Sequence, residues 1–245
     1  MEDTCDRPTT ELCLLDGFDL RVDGTSTRAI PSVRRLLAYL AVRHHTTTRA
    51  VVATELWPDA SRTRAAACLR STLWRVVRPG DLVRLVRLDG DALGIAPDVR
   101  VDLAQARDLA TRIVRRGEAD VPDDQLHRLT TDVLPGWSDP WVVTERDWFR
   151  QLRLRALEAL SERFRLDGDL FRAYETAVAA VQADPLRESA HRKLIELHLA
   201  DGNPAEAVRQ YTTYRARLRS ELGLTPSPEI DKLLRPISYQ RKAPA

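Results

Sequence analysis

Seven arginines lie between residues 62 and 87, and a single acidic residue, Asp81, lies among them. The arginines are Arg62, Arg64, Arg70, Arg75, Arg78, Arg84 and Arg87. A guanidinium group is always charged, and its planar fork of N–H donors fits a phosphate group or the edge of a nucleic-acid base. An ordinary solvated helix carries both signs of charge, with salt bridges to its neighbours. The composition of this segment therefore predicts that it binds a polyanion.

The periodicity of residues 61–78 predicts an amphipathic helix. At about 100° per residue, the segment separates into an apolar side and a polar side. The apolar side holds Ala66, Leu69, Leu73, Val76 and Val77. The opposite side holds Arg64, Cys68, Ser71, Arg75 and Arg78, while Arg70 and Trp74 lie on one flank. We expect a helix from Arg62 to Val77, ended by Pro79-Gly80, that packs its apolar side and exposes its basic side.

Short elements on both sides of this helix predict the fold that positions it. Before it come strands Leu12–Leu15 and Phe18–Val22 and a helix capped by Ser32. A second helix runs from Thr46–Thr48 to Pro58 and buries Val51, Val52 and Leu56. After the basic helix come strands Leu82–Leu88 and Leu93–Ala96 around the turn Asp89–Ala92. Two strands, three helices and a hairpin follow one another as in a winged helix-turn-helix. In that fold the third helix enters the major groove of DNA, which is about 12 Å wide.

A repeat with a period of 34 residues dominates the second half of the chain. The positions Ala156, Leu160, Glu162, Asp167, Gly168 and Ala173 recur as Ala190, Leu194, Glu196, Asp201, Gly202 and Ala207. Each copy predicts a helix, an Asp-Gly turn and a second helix, which is the pattern of a tetratricopeptide-type repeat. Helices are also expected at Leu103–Arg116 and Leu126–Leu134. The sequence therefore predicts a stacked helical domain in this half.

The composition is that of a globular chain of 245 residues, with 43% hydrophobic and 30% charged residues. No apolar run has the ~18–20 residues of a membrane span. Three cysteines without a Cys-x-x-Cys pair favour a reduced, cytoplasmic location, and the polar start of the chain is neither a signal nor a transit peptide. The net charge is only +2, so any affinity for a polyanion must be local.

We expect no enzyme activity, no cofactor and no metal site. No Gly-rich phosphate loop and no nucleophile with a partner His occur in the sequence. His44, His45, His191 and His198 have no thiol or carboxylate at ligand spacing, and Cys68 has no resolving cysteine nearby, so all five are assigned to packing or solvent. The aromatic cluster of Trp137, Trp141, Trp148 and Phe149 is compatible with a ligand pocket, but packing between the first helices and the repeats is favoured.

Three segments in the second half carry a family resemblance when taken together and in order. They are Asp184-Pro185-Leu186-Arg187-Glu188-Ser189-Ala190-His191-Arg192, Asp201-Gly202-Asn203-Pro204-Ala205-Glu206-Ala207 and Glu221-Leu222-Gly223-Leu224-Thr225-Pro226. With the winged helix before them, they resemble the Streptomyces antibiotic regulatory proteins. Members of this family combine a DNA-binding domain of response-regulator type with a bacterial transcriptional activator domain.

The resemblance implies a transcription activator that binds direct repeats near promoters, usually as a dimer, and recruits RNA polymerase by touching the σ factor and other subunits. Control of a secondary-metabolite (antibiotic) gene cluster is implied in the same way. The length is that of the small form of the family, without an ATPase domain and without a receiver domain for phosphorylation. The chain departs from the family pattern at Trp74, at Pro79 and in the two acids of the turn Asp89–Ala92.

The predicted fold is mainly α with a small β component: a winged helix-turn-helix followed by an all-α tetratricopeptide-like repeat domain. The predicted domains are residues 12–100 and 101–237, between tails at 1–11 and 238–245. The predicted DNA-binding residues are Arg62, Arg64, Arg70, Ser71, Thr72, Arg75, Arg78, Arg84 and Arg87. The expected partners are promoter DNA, RNA polymerase and a second copy of the chain, without a membrane, at the nucleoid.

Three alternatives remain from the sequence alone. The basic side of the third helix is also compatible with a solvated surface whose charges pair with neighbours. Arg84 and Arg87 are equally compatible with phosphate contacts and with ordinary exposed strand positions. At the level of function, the alternative is a helical-repeat scaffold or ligand-binding regulator with a weak DNA-binding module.

Overall fold

A computed structural model of the chain describes residues 9–76 and 85–240, the last six of them as backbone only. The strands are β1 (Thr10–Cys13), β2 (Asp19–Val22), β3 (Thr25–Ser26), β4 (Thr47–Thr48), β5 (Val86–Asp89), β6 (Ala92–Ile95) and β7 (Val99–Val101). The helices are α1 (Pro31–Arg43), α2 (Arg49–Leu56), α3 (Arg62–Val76), α4 (Asp102–Arg116), α5 (Asp123–Thr130), α6 (Pro140–Leu166), α7 (Leu170–Ala183), α8 (Glu188–Ala200), α9 (Pro204–Leu222) and α10 (Pro228–Gln240).

The described residues form two compact units. The first consists of residues up to Asp108 together with Thr131–Phe149, and the second consists of Leu109–Thr130 together with residues from Arg150 onward. The unit boundaries fall inside α4 and α6, whereas the sequence pattern changes near residue 100. The division into domains at residue 100 therefore stays a prediction about sequence pattern.

The first unit begins with a four-stranded sheet in the order β3-β2-β1-β7. Strand β1 is antiparallel to β2 and parallel to β7, and Thr10 pairs with both Val22 and Val99. Thr10 and Glu11 thus belong to the sheet and not to the predicted tail, because both take part in this pairing. At the other end of the chain, α10 continues to Gln240, beyond the predicted domain end at residue 237.

Helices α1, α2 and α3 follow, as predicted, with two local differences. Helix α1 begins at Pro31 with Ile30 as its N-cap, and not at a Ser32 cap, because proline at the first helical position has no N–H to leave unsatisfied. Helix α2 is capped by Thr48, whose hydroxyl accepts a hydrogen bond from the N–H of Val51 at 3.4 Å. The Val51 side chain is 45% exposed, so the prediction that it is buried is wrong.

A second sheet joins the wing hairpin to the start of α2. Its order is β4-β6-β5, and the two-residue strand β4 pairs Thr47 with Leu93 and Thr48 with Ala92. The N–H of Arg49, the first residue of α2, donates to the carbonyl oxygen of Asp91 in the wing turn at 2.9 Å. These bonds attach the wing to the helix-turn-helix. Strands β3, β4 and β7 have no counterpart among the elements that the sequence predicts.

The aromatic cluster packs inside the first unit. The Trp141 ring meets the Tyr39 ring edge-on at 5.3 Å, and the Trp137 ring stacks on Phe18 at 6.3 Å. Phe149 belongs to the same core, whereas Trp148 is exposed. The prediction that these aromatics pack between the first helices and the repeats is therefore corrected, because their partners belong to the β1–β2 connection and α1.

The second unit confirms the 34-residue repeat. The repeated small and apolar positions Ala156, Leu160, Ala173, Ala190, Leu194 and Ala207 are all buried. Gly168 and Gly202 adopt φ of 81° and 71°, a conformation that glycine reaches without a steric penalty. Each is followed by the same helix-ending hydrogen bond, from Asp169 N–H to the Phe164 carbonyl oxygen at 2.9 Å and from Asn203 N–H to the His198 carbonyl oxygen at 2.8 Å.

The segments that carry the family resemblance hold the second unit together. Arg187 donates through Nε and Nη2 to the two oxygens of Glu158, at 2.7 and 3.2 Å. The neighbouring Glu188 carboxylate accepts hydrogen bonds from the Ser227 N–H at 2.8 Å and from the Tyr214 hydroxyl at 3.3 Å. The Arg-Glu pair at the start of α8 thus binds α6 on one side and the start of α10 on the other. Across the described ranges, no helix is long and apolar enough to span a membrane.

Candidate nucleic-acid interface

Helix α3 packs one side against α1 and α2 and leaves the other side exposed. Its buried side chains are Ala65, Leu69, Thr72, Leu73 and Val76. Its exposed side chains include Arg62, Arg64, Ala67, Arg70, Ser71, Trp74 and Arg75. The predicted buried position Ala66 is only half-buried, since Ala65 occupies the core position next to it. The helix is otherwise oriented as the periodicity predicted.

The exposed arginines of α3 have no carboxylate partner within residues 9–76 and 85–234. Among the described residues, none makes an ion pair with Arg62, Arg64, Arg70 or Arg75, and α3 itself contains no acidic residue. The reading of this side as a surface neutralised by its neighbours is therefore not supported. No described carboxylate would therefore compete with a polyanion for the arginines of α3.

The first turn of α3 carries two of these arginines at the end where a helix tolerates cations least. Ser61 precedes the helix, and its hydroxyl accepts a hydrogen bond from the Arg64 N–H at 3.4 Å. The aligned peptide dipoles place partial positive charge at this end, so Arg62 and Arg64 oppose the dipole, whereas Arg75 in the last turn complements it. Helix stability thus gives no reason for Arg62 and Arg64, and a negatively charged partner would offset their cost.

Of the predicted contact residues, one is buried and two lie outside the described residues. Thr72 is only 3% exposed and donates its hydroxyl to the Cys68 carbonyl oxygen at 2.9 Å, so it faces the core and is removed from the predicted contacts. Its polar side chain is tolerated there because the hydrogen bond is satisfied within the helix. Arg78 and Arg84 lie at positions 77–84, outside the described residues.

Arg87 lies on the wing, in an exposed stretch of β5. Its Nη2 atom is 3.2 Å from an Asp89 carboxylate oxygen, and both side chains are more than half exposed. Such a solvent-exposed pair is weak, about 0–1 kcal/mol. Arg87 can therefore exchange Asp89 for a phosphate at small cost, but it starts from a partly neutralised state that the α3 arginines do not share.

Two residues outside the predicted contact set also lie at this surface. Trp74, which the sequence places on a flank of α3 beside Arg70, is 68% exposed. Arg49, at the start of α2, lines a groove of ≈ 650 Å³ together with Arg62 and Arg70. The groove floor is apolar and includes Ala53, Ala65 and Leu69 at the contact between α2 and α3. The available indication for Arg49 was its place directly after the Thr48 cap.

His191 and His198 make hydrogen bonds within the second unit. His191 is buried, with its Nε2 3.0 Å from the Pro185 carbonyl oxygen and its Nδ1 2.8 Å from Gln210 Nε2. Its ring stacks on Tyr214 at 4.3 Å, and burial lowers its pKa below the ordinary value. The Nδ1 atom of His198 is 3.1 Å from the Tyr174 hydroxyl, and Cys68 is half-buried.

Comparison with known proteins gives a family and a fold. Residues 101–238 match the model of the bacterial transcriptional activator domain. The chain is 32% identical over 219 residues to the regulatory protein AfsR of Streptomyces coelicolor (strain ATCC BAA-471 / A3(2) / M145), which covers 83% of this chain and 21% of that protein. It is 28% identical over 217 residues to the regulatory protein AfsR of Streptomyces griseus, covering 83% of this chain and 22% of that protein. The chain thus spans about a fifth of the length of these relatives.

A solved structure has the same fold. Mycobacterium tuberculosis EmbR, in complex with a low-affinity phosphopeptide, superposes with a TM-score of 0.63 and 20% sequence identity. The superposition covers 97% of this chain and 67% of that chain. It confirms a winged-helix N-terminal part and a helical domain in one chain.

Proposed function

Because the chain belongs to the bacterial transcriptional activator domain family and to the Streptomyces antibiotic regulatory proteins, we propose that it activates transcription by binding promoter DNA through α3. The observation that carries the proposal is the exposed side of α3, where four arginines have no ion-pair partner among the described residues. An α-helix with its side chains is about 10–12 Å across, which matches the width of the major groove. The opposite side of α3 is packed in the core and holds the helix in place.

The arginines divide into two roles by their position around the helix. Arg64, Ser71 and Arg75 recur at i, i+7 and i+11 and therefore lie along one line, suited to the base edges at the floor of the groove. Arg62 and Arg70 lie nearer α2, where a phosphate backbone would pass, and Arg49 adds a third guanidinium there. A bidentate guanidinium–guanine contact contributes about 1–3 kcal/mol of discrimination against other bases.

The helical second unit supplies the activating contact in this proposal. The chain binds direct repeats as a homodimer and recruits RNA polymerase, including the σ factor, so that each bound partner strengthens the binding of the other by linkage. Recruitment requires no chemistry at the protein, which agrees with relatives that are regulatory proteins. Control of an antibiotic gene cluster from the nucleoid completes the proposal.

The test is selection of binding sites from a random duplex library with the full chain, followed by a salt titration on the selected duplex. We expect one enriched sequence, and a slope of log affinity against log salt that corresponds to several phosphate contacts at about 0.9 each. Substitution of Arg75 by alanine should weaken binding about 10-fold or more. Absence of an enriched sequence, or unchanged binding by the Arg75→Ala chain, would contradict the proposal.

A second candidate function is a protein-binding scaffold, and a groove in the second unit favours it. The groove between α5 and α7 has a volume of ≈ 500 Å³ and is lined by Phe171 and Val178 with the acidic Asp123 and Glu175 beside them. A scaffold that uses this groove has no need of unpaired arginines on α3. Elution from immobilised duplex DNA at low salt, with no preference for sequence, would favour the scaffold.

A further inference from the structure

The exposed side of α3 has a centre of small and aromatic side chains between charged margins. Ala67, Ser71 and Trp74 are all exposed and follow one another at i, i+4 and i+7, so they lie along the middle of this side. By the same geometry, Arg64 and Arg75 lie on one margin and Arg70 lies on the other. The two small side chains allow the helix backbone to come close to whatever it binds.

Among the described residues of the first unit, Trp74 is not one of the side chains that form the buried core. Its side chain is 68% exposed, and within residues 9–76 and 85–240 the structure contains no ring stacking, cation–π contact or hydrogen bond that involves it. Its neighbours Leu73 and Val76 make the core contacts instead. The largest apolar surface on α3 therefore lies in water, at the centre of a basic surface.

We propose that Trp74 reads thymine in the target DNA by packing its indole ring against the 5-methyl group. This inference rests on the proposed function, in which α3 enters the major groove. The thymine methyl is the apolar group that a base pair presents there, so it is the partner that suits an aromatic ring among base edges. Ala67 lies about 10 Å away along the helix axis, or about three base pairs, and leaves room for a further apolar contact.

The margins identify DNA as the occupant of this surface, and not a second copy of the chain. Two copies that meet symmetrically through the exposed side of α3 would place the arginines of one copy against those of the other. Like charges that face one another across an interface oppose association. A duplex presents base edges and phosphates to the arginines on the two margins and an apolar methyl group to the centre, which matches the arrangement of charges and of Trp74.

The experiment uses the full chain and the duplex selected from the random library. Each thymine of the selected duplex is replaced in turn by deoxyuridine, which removes the methyl group and keeps the base pairing. We expect the wild-type affinity to fall about fourfold at one or two positions, the effect of one buried methyl group. The Trp74→Ala chain should bind the thymine duplex about fourfold or more weakly and lose no further affinity at a position that Trp74 contacts.

The controls separate the proposal from its alternatives. Trp74→Phe keeps an apolar ring and should keep part of the sensitivity to deoxyuridine, whereas Leu166→Ala, which removes an apolar side chain of the second unit that is 65% exposed, should leave DNA affinity unchanged. Thermal unfolding of Trp74→Ala should match the wild type because the side chain is exposed.

Three results overturn the inference. The first is a wild type that is insensitive to every deoxyuridine substitution, and the second is a Trp74→Ala chain that keeps the wild-type sensitivity, whatever its affinity. The third is a change of oligomeric state with unchanged DNA binding, which assigns Trp74 to a protein contact. These leave the proposed function standing, whereas a selection without a preferred sequence overturns both.

Discussion

The arginines of α3 differ from Arg187 and Lys193 of the second unit in whether a described carboxylate already pairs with them. In the second unit, Arg187 binds Glu158 through two hydrogen bonds, and Lys193 lies 2.9 Å from Glu162 and 3.2 Å from Glu196. On α3, no described carboxylate pairs with Arg64 or Arg75. The same kinds of residue thus stabilise the fold in one region and remain available to a partner in the other. A net charge of +2 hides this difference because it counts both kinds alike.

The largest expected effect comes from removing the available charge. The double substitution Arg64→Ala and Arg75→Ala should lower affinity for the selected duplex at least about 30-fold, because each guanidinium–base contact contributes about 1–3 kcal/mol. Thermal unfolding should be unchanged, since both side chains are exposed. The matched control is Arg163→Ala with Arg209→Ala, which removes two exposed arginines that are paired with Asp167 and Glu206. An equal loss of DNA affinity in the control would remove the distinction between paired and unpaired arginines.

Removal of a charge that is paired within the fold should instead lower the stability of the protein. Glu158→Ala leaves Arg187 and the Ser189 hydroxyl, which donates to Glu158 at 2.6 Å, without their acceptor. We expect the free energy of unfolding in urea to fall by about 2–3 kcal/mol, the cost of losing hydrogen bonds to a charged group that is largely shielded from water. Glu206→Ala breaks only an exposed pair and should change stability by less than about 1 kcal/mol. A larger effect for Glu206→Ala than for Glu158→Ala would contradict this ranking.

The pairs of the second unit should also make its stability depend on acid pH. Hydrogen bonds from Arg165 and Lys193 lower the pKa of Glu162 from 4.5 to about 2. Because the folded pKa lies below the unfolded one, the stabilisation is complete above pH 4.5 and is lost as the pH falls from 4.5 towards 2. Glu162→Gln should flatten the dependence of unfolding on pH in this window. Substitution of Arg64, which has no such partner, should leave the profile unchanged, and an identical profile for wild type and Glu162→Gln would contradict the assignment.

The smallest effect is expected at the wing. Arg87→Ala should reduce the slope of log affinity against log salt by about 0.9 if Arg87 contacts a phosphate, with a loss of affinity of only a few fold because Asp89 already competes for it. Asp89→Asn, which frees Arg87, should raise affinity slightly. A slope that neither substitution changes would assign Arg87 to an ordinary exposed strand position.

Much of α3 could be predicted because its periodicity is regular. The predicted start, Arg62, is the observed one, and Leu69, Leu73 and Val76 are buried as expected, whereas the predicted end, Val77, lies outside the described residues. Residues 65 and 66 are both alanine, so the hydrophobic pattern alone does not indicate which of them is buried. Thr72 was misassigned because a hydroxyl that bonds within its own helix, here to Cys68, reads as polar in the sequence and packs as apolar in the fold.

The short strands depend on partners that are distant in sequence. Strand β4 has two residues and is defined by the pairing of Thr47 with Leu93. No local sequence pattern predicts that pairing. The repeat, by contrast, was visible because Gly168 and Gly202 occupy turns with positive φ, and because alanines lie where helices pack closely. Positions with strict steric demands can thus be predicted from a sequence, whereas pairing between distant segments cannot.

In the proposed complex with DNA, the attachment of the wing to α2 affects which duplex geometry the protein selects. Because β4 and the Arg49–Asp91 hydrogen bond tie the hairpin to the start of α2, and α2 packs on α3, the spacing between the reading helix and the wing is set by the fold. In the proposed complex with DNA, α3 and the wing at a fixed spacing fit a duplex only where its twist and groove separation match that spacing. Base pairs that neither arm touches would then influence affinity through the stiffness and width that they impose on the DNA.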